Sequence, residues 1–364
     1  MKKAISVLLL GLALAAGLSG CGYPELYERI LVHGIGVDLC PEGYRVTVRS
    51  SSSAEDEGEE LFTCQGETVL EALSSLSLST GREPFYSHNY LVVFGKECAR
   101  QGLDRCLDFF IRYYNTRPAV SVFLAEDTAE AVLSVERDGK LLKMSQLEAL
   151  GSGGRYNGQS AHVELLDFVN GVLREGGSPV LPVLAAEEEG VRVTGTAYFE
   201  GCRLKSTLDL DQSRGFLAAS DRLEQGELVV SGPELGTVTL SLKESSARVR
   251  LDSLEAGPSF TVSIEVQADV SAKAGGSGGP DFYPSLERAA GELLAGQAES
   301  AIRQAVVEDR CDIFGFGNQI YRQRPGYWRE NGENWKELMG GGSYQVQARV
   351  TVRRLEEETL RGMG

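Results

Sequence analysis

Residues 284–338 constrain this chain more than any other stretch. Leu286, Ala289, Ala290, Leu293, Leu294, Ala298, Ala301, Ile302, Ala305 and Val306 recur at offsets of three and four, with Glu287, Arg288, Glu292, Glu299, Arg303 and Glu308 on the other sides. That period predicts an amphipathic helix over 284–310 with one apolar stripe. Pro284 and Ser285 supply its start signal, because proline loses no hydrogen bond in a first helical turn. The small residues on the stripe let a second layer, expected to be a sheet, approach closely. Beyond the helix come Cys311-Asp312-Ile313-Phe314-Gly315-Phe316-Gly317, then Pro325, Trp328 and Trp335.

The other end of the chain reads as a targeting segment. Lys2 and Lys3 form a positive start, and residues 4–18 are an apolar run too short to span a bilayer comfortably. The run closes on Leu18-Ser19-Gly20-Cys21, the pattern of a bacterial lipobox. Cys21 is therefore expected to become the mature N-terminus and to carry lipid on its sulfur and amine. Each buried CH₂ of such chains contributes about 0.8 kcal/mol, so several chains anchor a soluble body firmly. An ordinary secretory signal with a chance cysteine is the simpler alternative. Either way the folded part is expected outside the cytoplasmic membrane.

At 364 residues the chain exceeds what one core usually serves, and two or three domains are expected. The net charge of −16 argues against a nucleic acid or an anionic membrane surface as partner. Six cysteines follow Cys21: Cys40, Cys64, Cys98, Cys106, Cys202 and Cys311. No spacing among them is diagnostic, and buried free thiols are the expected state. Cys98 and Cys106 are expected about two turns apart on one helix, too far to bridge.

Taken in order, residues 30–38 and 44–49 read as a hairpin around Pro41-Glu42-Gly43, with a third strand near 60–63. Residues 50–60 between them read as a solvated acidic loop. Thr68 is placed to cap a helix to about Leu78. Tyr90-Leu91-Val92-Val93-Phe94 and Ala119-Val120-Ser121-Val122-Phe123-Leu124 are apolar throughout, as central strands are. The helix expected between them, over 97–114, makes a βαβ crossover and hence a parallel pair. Short helices are expected over 129–135 and 163–173, then a proline-flanked strand over 178–184. Glu187-Glu188-Glu189-Gly190 marks a compositional boundary. Residues 191–199 and 203–208 form a hairpin turning at Gly201. A helical piece over 209–220 and a short strand at 228–230 follow. Longer strands are expected over 237–242, 247–251 and 260–270, with 345–352 closing the sheet. The Gly/Ser-rich residues 274–280 read as a loop and 356–364 as a charged, fraying tail.

A catalytic constellation is missing from this pattern. His33, His88 and His162 lie far apart, outside any HxxxH or HExxH spacing. There is no CxxC pair and no G-x-S-x-G elbow. Gly34-Ile35-Gly36 and Gly315-Phe316-Gly317 lack a third glycine in register, so no phosphate cradle is expected. No cofactor or metal is expected. Phe314, Phe316, Trp328 and Trp335, with Tyr321 and Tyr327, read first as packing of the last helix against a C-terminal sheet. Mixed with Arg322, Arg324 and Arg329, they are also a candidate docking interface.

Several of these segments together resemble the Ger(x)C family, the C subunits of spore nutrient-germinant receptors. The resemblance runs in order: the lipobox, Gly34-Ile35-Gly36-Val37-Asp38, and His88 before its strand with Arg112 and Arg117 after. It continues through Pro179-Val180-Leu181-Pro182 and Gly195-Thr196-Ala197-Tyr198-Phe199, and ends on the Asp312–Phe316 run with its proline and two tryptophans. Cys311 and the glycine-rich insert 274–280 depart from the family pattern. The resemblance implies an α+β fold of three mixed α/β domains, with mixed sheets flanked by helices. With the residue pattern, the expected division is a signal peptide over 1–20, an N-terminal α/β domain over 21–189, a small middle domain over 190–235, and a C-terminal α/β domain over 236–364. It also implies a non-enzymatic lipoprotein of the spore inner membrane, working beside an integral-membrane A subunit and a transporter-like B subunit. The rival readings are a solute-binding lipoprotein that captures the nutrient itself, and, more weakly, an envelope hydrolase.

Overall fold

The computed structural model describes residues 29–51, 58–113, 119–152, 154–276 and 279–353. Cys21 and its leader, Arg117, most of the acidic loop and the charged tail lie outside them. Alternation over the first described residues builds β1 (Arg29–Cys40), which pairs antiparallel with β2 (Gly43–Ser51), itself antiparallel to β3 (Glu59–Gly66). Thr68 caps α1 (Val69–Thr80) by accepting the Glu71 amide. The short β4 (Glu83–Phe85) runs parallel to the start of β1.

The apolar strands then form the centre. β5 (Leu91–Phe94) and β6 (Ser121–Ala125) are parallel to each other, and β5 is parallel to β1. Their side chains alternate between two cores. Val92 and Phe94 enter the main core, while Leu91 and Val93 enter a second one with Phe123, Leu133 and Met144. This two-sided burial is why the sequence shows no polar alternation there. The crossover is not the single helix expected over 97–114. It is α2 (Lys96–Gln101) and α3 (Asp104–Arg112), broken at Gly102, whose φ of +127° lies outside helical space. Next come α4 (Ala129–Leu133), the small hairpin β7 (Glu136–Arg137) and β8 (Lys140–Leu141), then α5 (Met144–Ser152), α6 (Gly154–Asn157) and α7 (Leu165–Leu173).

β9 (Val180–Glu187) is parallel to β6 and opens a second antiparallel run with β10 (Gly190–Glu200) and β11 (Arg203–Leu208). The sheet order is therefore β11-β10-β9-β6-β5-β1-β2-β3, a parallel centre flanked by two antiparallel wings, with β4 beside β1. Asp209 caps α8 (Leu210–Ala219) through a reciprocal pair of bonds with Gln212.

The second sheet has the order β12-β13-β14-β15, from β12 (Gly226–Gly232), β13 (Gly236–Ser253), β14 (Ser259–Ala274) and β15 (Ser343–Arg353). β14 and β15 are parallel, and a parallel pair needs a crossover. Residues 282–340 supply it: α9 (Phe282–Ile302), a π-helical turn (Arg303–Glu308), α10 (Phe316–Gln323), α11 (Pro325–Asn331), a 3₁₀ turn (Gly332–Asn334) and α12 (Trp335–Gly340). The fold is α+β, with mixed sheets flanked by helices.

Three further expectations change. Residues 237–242 and 247–251 are one strand, because Glu244, Ser245 and Ser246 keep pairing with β14 and a bulge after Leu242 absorbs the slip. Leu293 faces outward at 37% exposure, off the buried stripe of Leu286, Ala290, Leu294, Ala298 and Ala301. Residues 190–235 do not stand apart as a small middle domain. Residues 190–208 belong to the first sheet, and residues 226–232 to the second. α8 lies against both halves, with Phe216 and Leu217 in a core cluster that includes residues of both sheets.

Candidate functional site

The segments singled out in the sequence converge on capping and close packing. In β1, Gly36 faces α4, where a Cβ would lie 2.9 Å from Leu133 and 3.0 Å from Ala129. Asp38 accepts the backbone amides of Ala129 and Glu130 at 2.8 and 2.9 Å and so holds the start of α4. Burial raises its carboxyl above the usual range, against the pull of those amides.

Asp312 plays the same part on a larger scale. Its side chain accepts the amides of Gly315, Phe316 and Gly317 at 2.8, 3.1 and 2.6 Å, and its carbonyl accepts the Ser178 amide. These are donors that the start of α10 would otherwise leave unpaired. Gly315 adopts φ +79°, a left-handed conformation that turns the chain into α10. Burial pushes the Asp312 carboxyl up to about 6 despite the three amides.

The aromatic cluster closes over this turn. Phe316 stacks among Phe260, Phe314 and Tyr344, and Trp328 and Trp335 lie with ring centroids 5.9 Å apart. A Cβ at Gly317 would lie 2.7 Å from the Trp335 ring, and one at Gly176 2.5 Å from the Trp328 ring. Phe316, Trp328 and Trp335 are buried and Phe314 is half-buried, because these rings fill the gap between the crossover and the second sheet. The candidate interface is thus packed inside this chain. Among the exposed side chains of the segment are Tyr321, Arg322, Arg324 and Arg329.

Tyr198 ties the halves together. Its hydroxyl donates to Asp309, and Gln304 donates to that hydroxyl and to the Thr207 carbonyl at 3.2 and 3.0 Å. Gln212 of α8 donates to Gln304 at 2.8 Å. The π-helical turn carries Gln304, and Asp309 follows directly, so an irregular turn is stitched to the wing of the first sheet.

Sequence reading missed Arg49. It sits with no exposure, donates to the Leu133 and Leu142 carbonyls at 2.6 and 2.5 Å, and pairs with Glu59. No local signal separates it from Arg45, four positions away on the same face, which is half-buried and pairs with Glu130 at 3.3 Å. Of the histidines, His33 has its pKa lowered by burial, while His88 is exposed with its ring 5.7 Å from that of Phe85. His33, His88 and His162 belong to no metal-ligating cluster among the described residues. A cleft of about 500 Å³ opens at the carboxyl ends of β5 and β6, where Lys96, Arg100 and Lys205 face Glu126 and Asp209. Among the described residues no helix is long and apolar enough to cross a membrane.

The α+β fold is shared with a solved spore germination protein. A solved structure described as the GerBC protein overlays with a TM-score of 0.60 at 15% identity, covering 88% of this chain and 97% of that one. Two family models match in succession: the spore germination protein N-terminal domain over residues 22–186, and the spore germination B3/GerAC-like C-terminal domain over residues 194–356. Spore germination protein KC of Bacillus subtilis (strain 168) is 20% identical over 97% of this chain and 96% of its own length. Spore germination protein B3 of the same organism is 21% identical over 88% and 90%. The chain belongs to the Ger(x)C family of germination-receptor C subunits, a family that is generally non-catalytic.

Proposed function

We propose that this chain is the lipid-anchored, non-catalytic C subunit of a nutrient germinant receptor, held at the outer face of the spore inner membrane beside membrane-embedded A and B subunits. One observation carries the reading. The family match begins at residue 22, directly behind the Leu18-Ser19-Gly20-Cys21 signal, and runs on to residue 356. A lipid on Cys21 would thus sit at the threshold of the family fold, and surfaces of that fold would dock the membrane subunits. Replacing Cys21 with Ala is expected to move the protein from the membrane pellet to the soluble fraction and to impair nutrient-triggered germination. Affinity purification of the wild-type chain from detergent-solubilised spore membranes is expected to bring the A and B subunits with it. Full germination with a soluble Cys21→Ala protein, or purification without either partner, would sink the proposal.

The second reading, direct capture of a small nutrient, draws on the cleft at the ends of β5 and β6. Its half-buried Lys96 and exposed Arg100 and Lys205 suit a carboxylate-bearing solute. It requires a nutrient-dependent rise in melting temperature of the isolated chain, which the scaffold reading does not.

A further inference from the structure

The break at Gly102 has a chemical consequence. On one continuous helix, Cys98 and Cys106 would stand two turns apart. With the helix broken between α2 and α3, their sulfurs lie 3.0 Å from each other, and both residues are buried at 1% and 0% exposure. An S–S bond is about 2.05 Å, so closure asks for a movement of about 1 Å. The remaining thiols are placed differently. Cys64 donates to the Val46 carbonyl at 3.5 Å, and Cys311 lies beside Ser178.

We propose that Cys98 and Cys106 are an oxidation site, joined in the exported protein by a disulfide that staples α2 to α3 against the parallel strands. The oxidant is a disulfide of a thiol oxidoreductase or of a small thiol outside the membrane. One cysteine thiolate attacks it to form a mixed disulfide, and the second cysteine displaces the reduced carrier. The two cysteines give up two protons and two electrons, and the oxidant's disulfide becomes two thiols. The bond forms during folding. In the folded chain the hydrogen bond between the two thiols, together with burial, holds the Cys98 thiol far above the usual thiol range, and both sulfurs are closed off from an oxidant. Burial afterwards shields the bond from reductants.

The site rests on the export proposed above, and the test separates the two. The full chain with its own leader is produced in a spore-forming bacterium, and its fractions are acid-quenched. Free thiols are blocked with iodoacetamide in denaturant. After reduction, the newly freed thiols are labelled with N-ethylmaleimide and the peptides are read by mass. In the membrane fraction Cys98 and Cys106 should carry the second label, and Cys64 and Cys311 the first. A membrane-bound chain with Cys98 and Cys106 carrying the first label overturns the disulfide and leaves export standing. A cytosolic chain with all thiols free overturns export. The disulfide is then decided by refolding that full chain in a glutathione redox buffer, with a Cys98→Ser variant beside it. A bond between Cys98 and Cys106 that raises the melting temperature above that of the variant supports the site. No bond, or a bond to another cysteine, overturns it.

Discussion

Asp312 shows how much of this fold hangs on single buried carboxylates. Replacing it with Ala strands three amides at the start of α10, which costs about 1–3 kcal/mol when such groups are left unpaired in a core. The expected result is a lower denaturation midpoint with an unchanged m-value. Its pH signature has a definite sign. The folded carboxyl titrates near 6, above its unfolded value of about 3.9, so the folded state holds a proton that the unfolded chain releases between those values. The stability from this group is complete below about pH 4 and is lost as pH rises through about 6. Melting wild type and Asp312→Asn in parallel isolates it from the other carboxylates. The wild type should lose stability relative to the variant between pH 4 and 7, and parallel curves would contradict the assignment. The motif around Asp312 is legible in the sequence as a signature. Its role as an acceptor for three amides is not, because nothing local says that the carboxylate turns inward.

At the scale of elements, α9 is the crossover that makes β14 and β15 parallel, and its fit depends on absent side chains. A Cβ on Gly215 of α8 would collide with the backbone of α9 at Gln297 and Ala298, and one on Gly291 would lie 2.7 Å from the Ala348 carbonyl of β15. Overpacking of this kind costs about 1–3 kcal/mol. Gly215→Val should therefore lower the melting temperature. Gly296→Ala, at a position of α9 with open space around it, should raise it by relieving the helix-interior glycine cost of about 1 kcal/mol. Thermal melts of the two variants check both directions at once. The helix was legible from its period. Its end was not, since Arg303–Glu308 widens to π geometry where Gln304 reaches Tyr198 and Thr207 of the first sheet.

The whole molecule is joined rather than partitioned. One buried cluster includes residues of both sheets, and the first sheet runs straight through the compositional boundary at Gly190. Trp328 and Trp335 report only on the C-terminal crossover, while far-UV dichroism reports on every element. Because the core is shared, urea unfolding followed by tryptophan fluorescence and by dichroism should give coincident transitions. Two separated midpoints would show that the halves unfold independently. Charge patterning and the acidic run at 187–189 suggested a boundary, but a polar hairpin turn on one edge of a sheet has the same composition as a linker.

What the sequence determined by itself is local or ordered along the chain. The periods of the strands and helices, the cap at Thr68, and the ordered motifs of the family all sit within a few residues of one another, where propensity and spacing act. Tertiary structure decided the encounters. It put Cys98 against Cys106 through a break at one glycine, buried Arg49 while leaving Arg45 half-buried, and turned the aromatic cluster inward. It also divided residues 190–235 between two sheets. The physical reason is that burial, close packing and pairing are set by whatever arrives from distant parts of the chain, and the period of a segment carries no record of its neighbours.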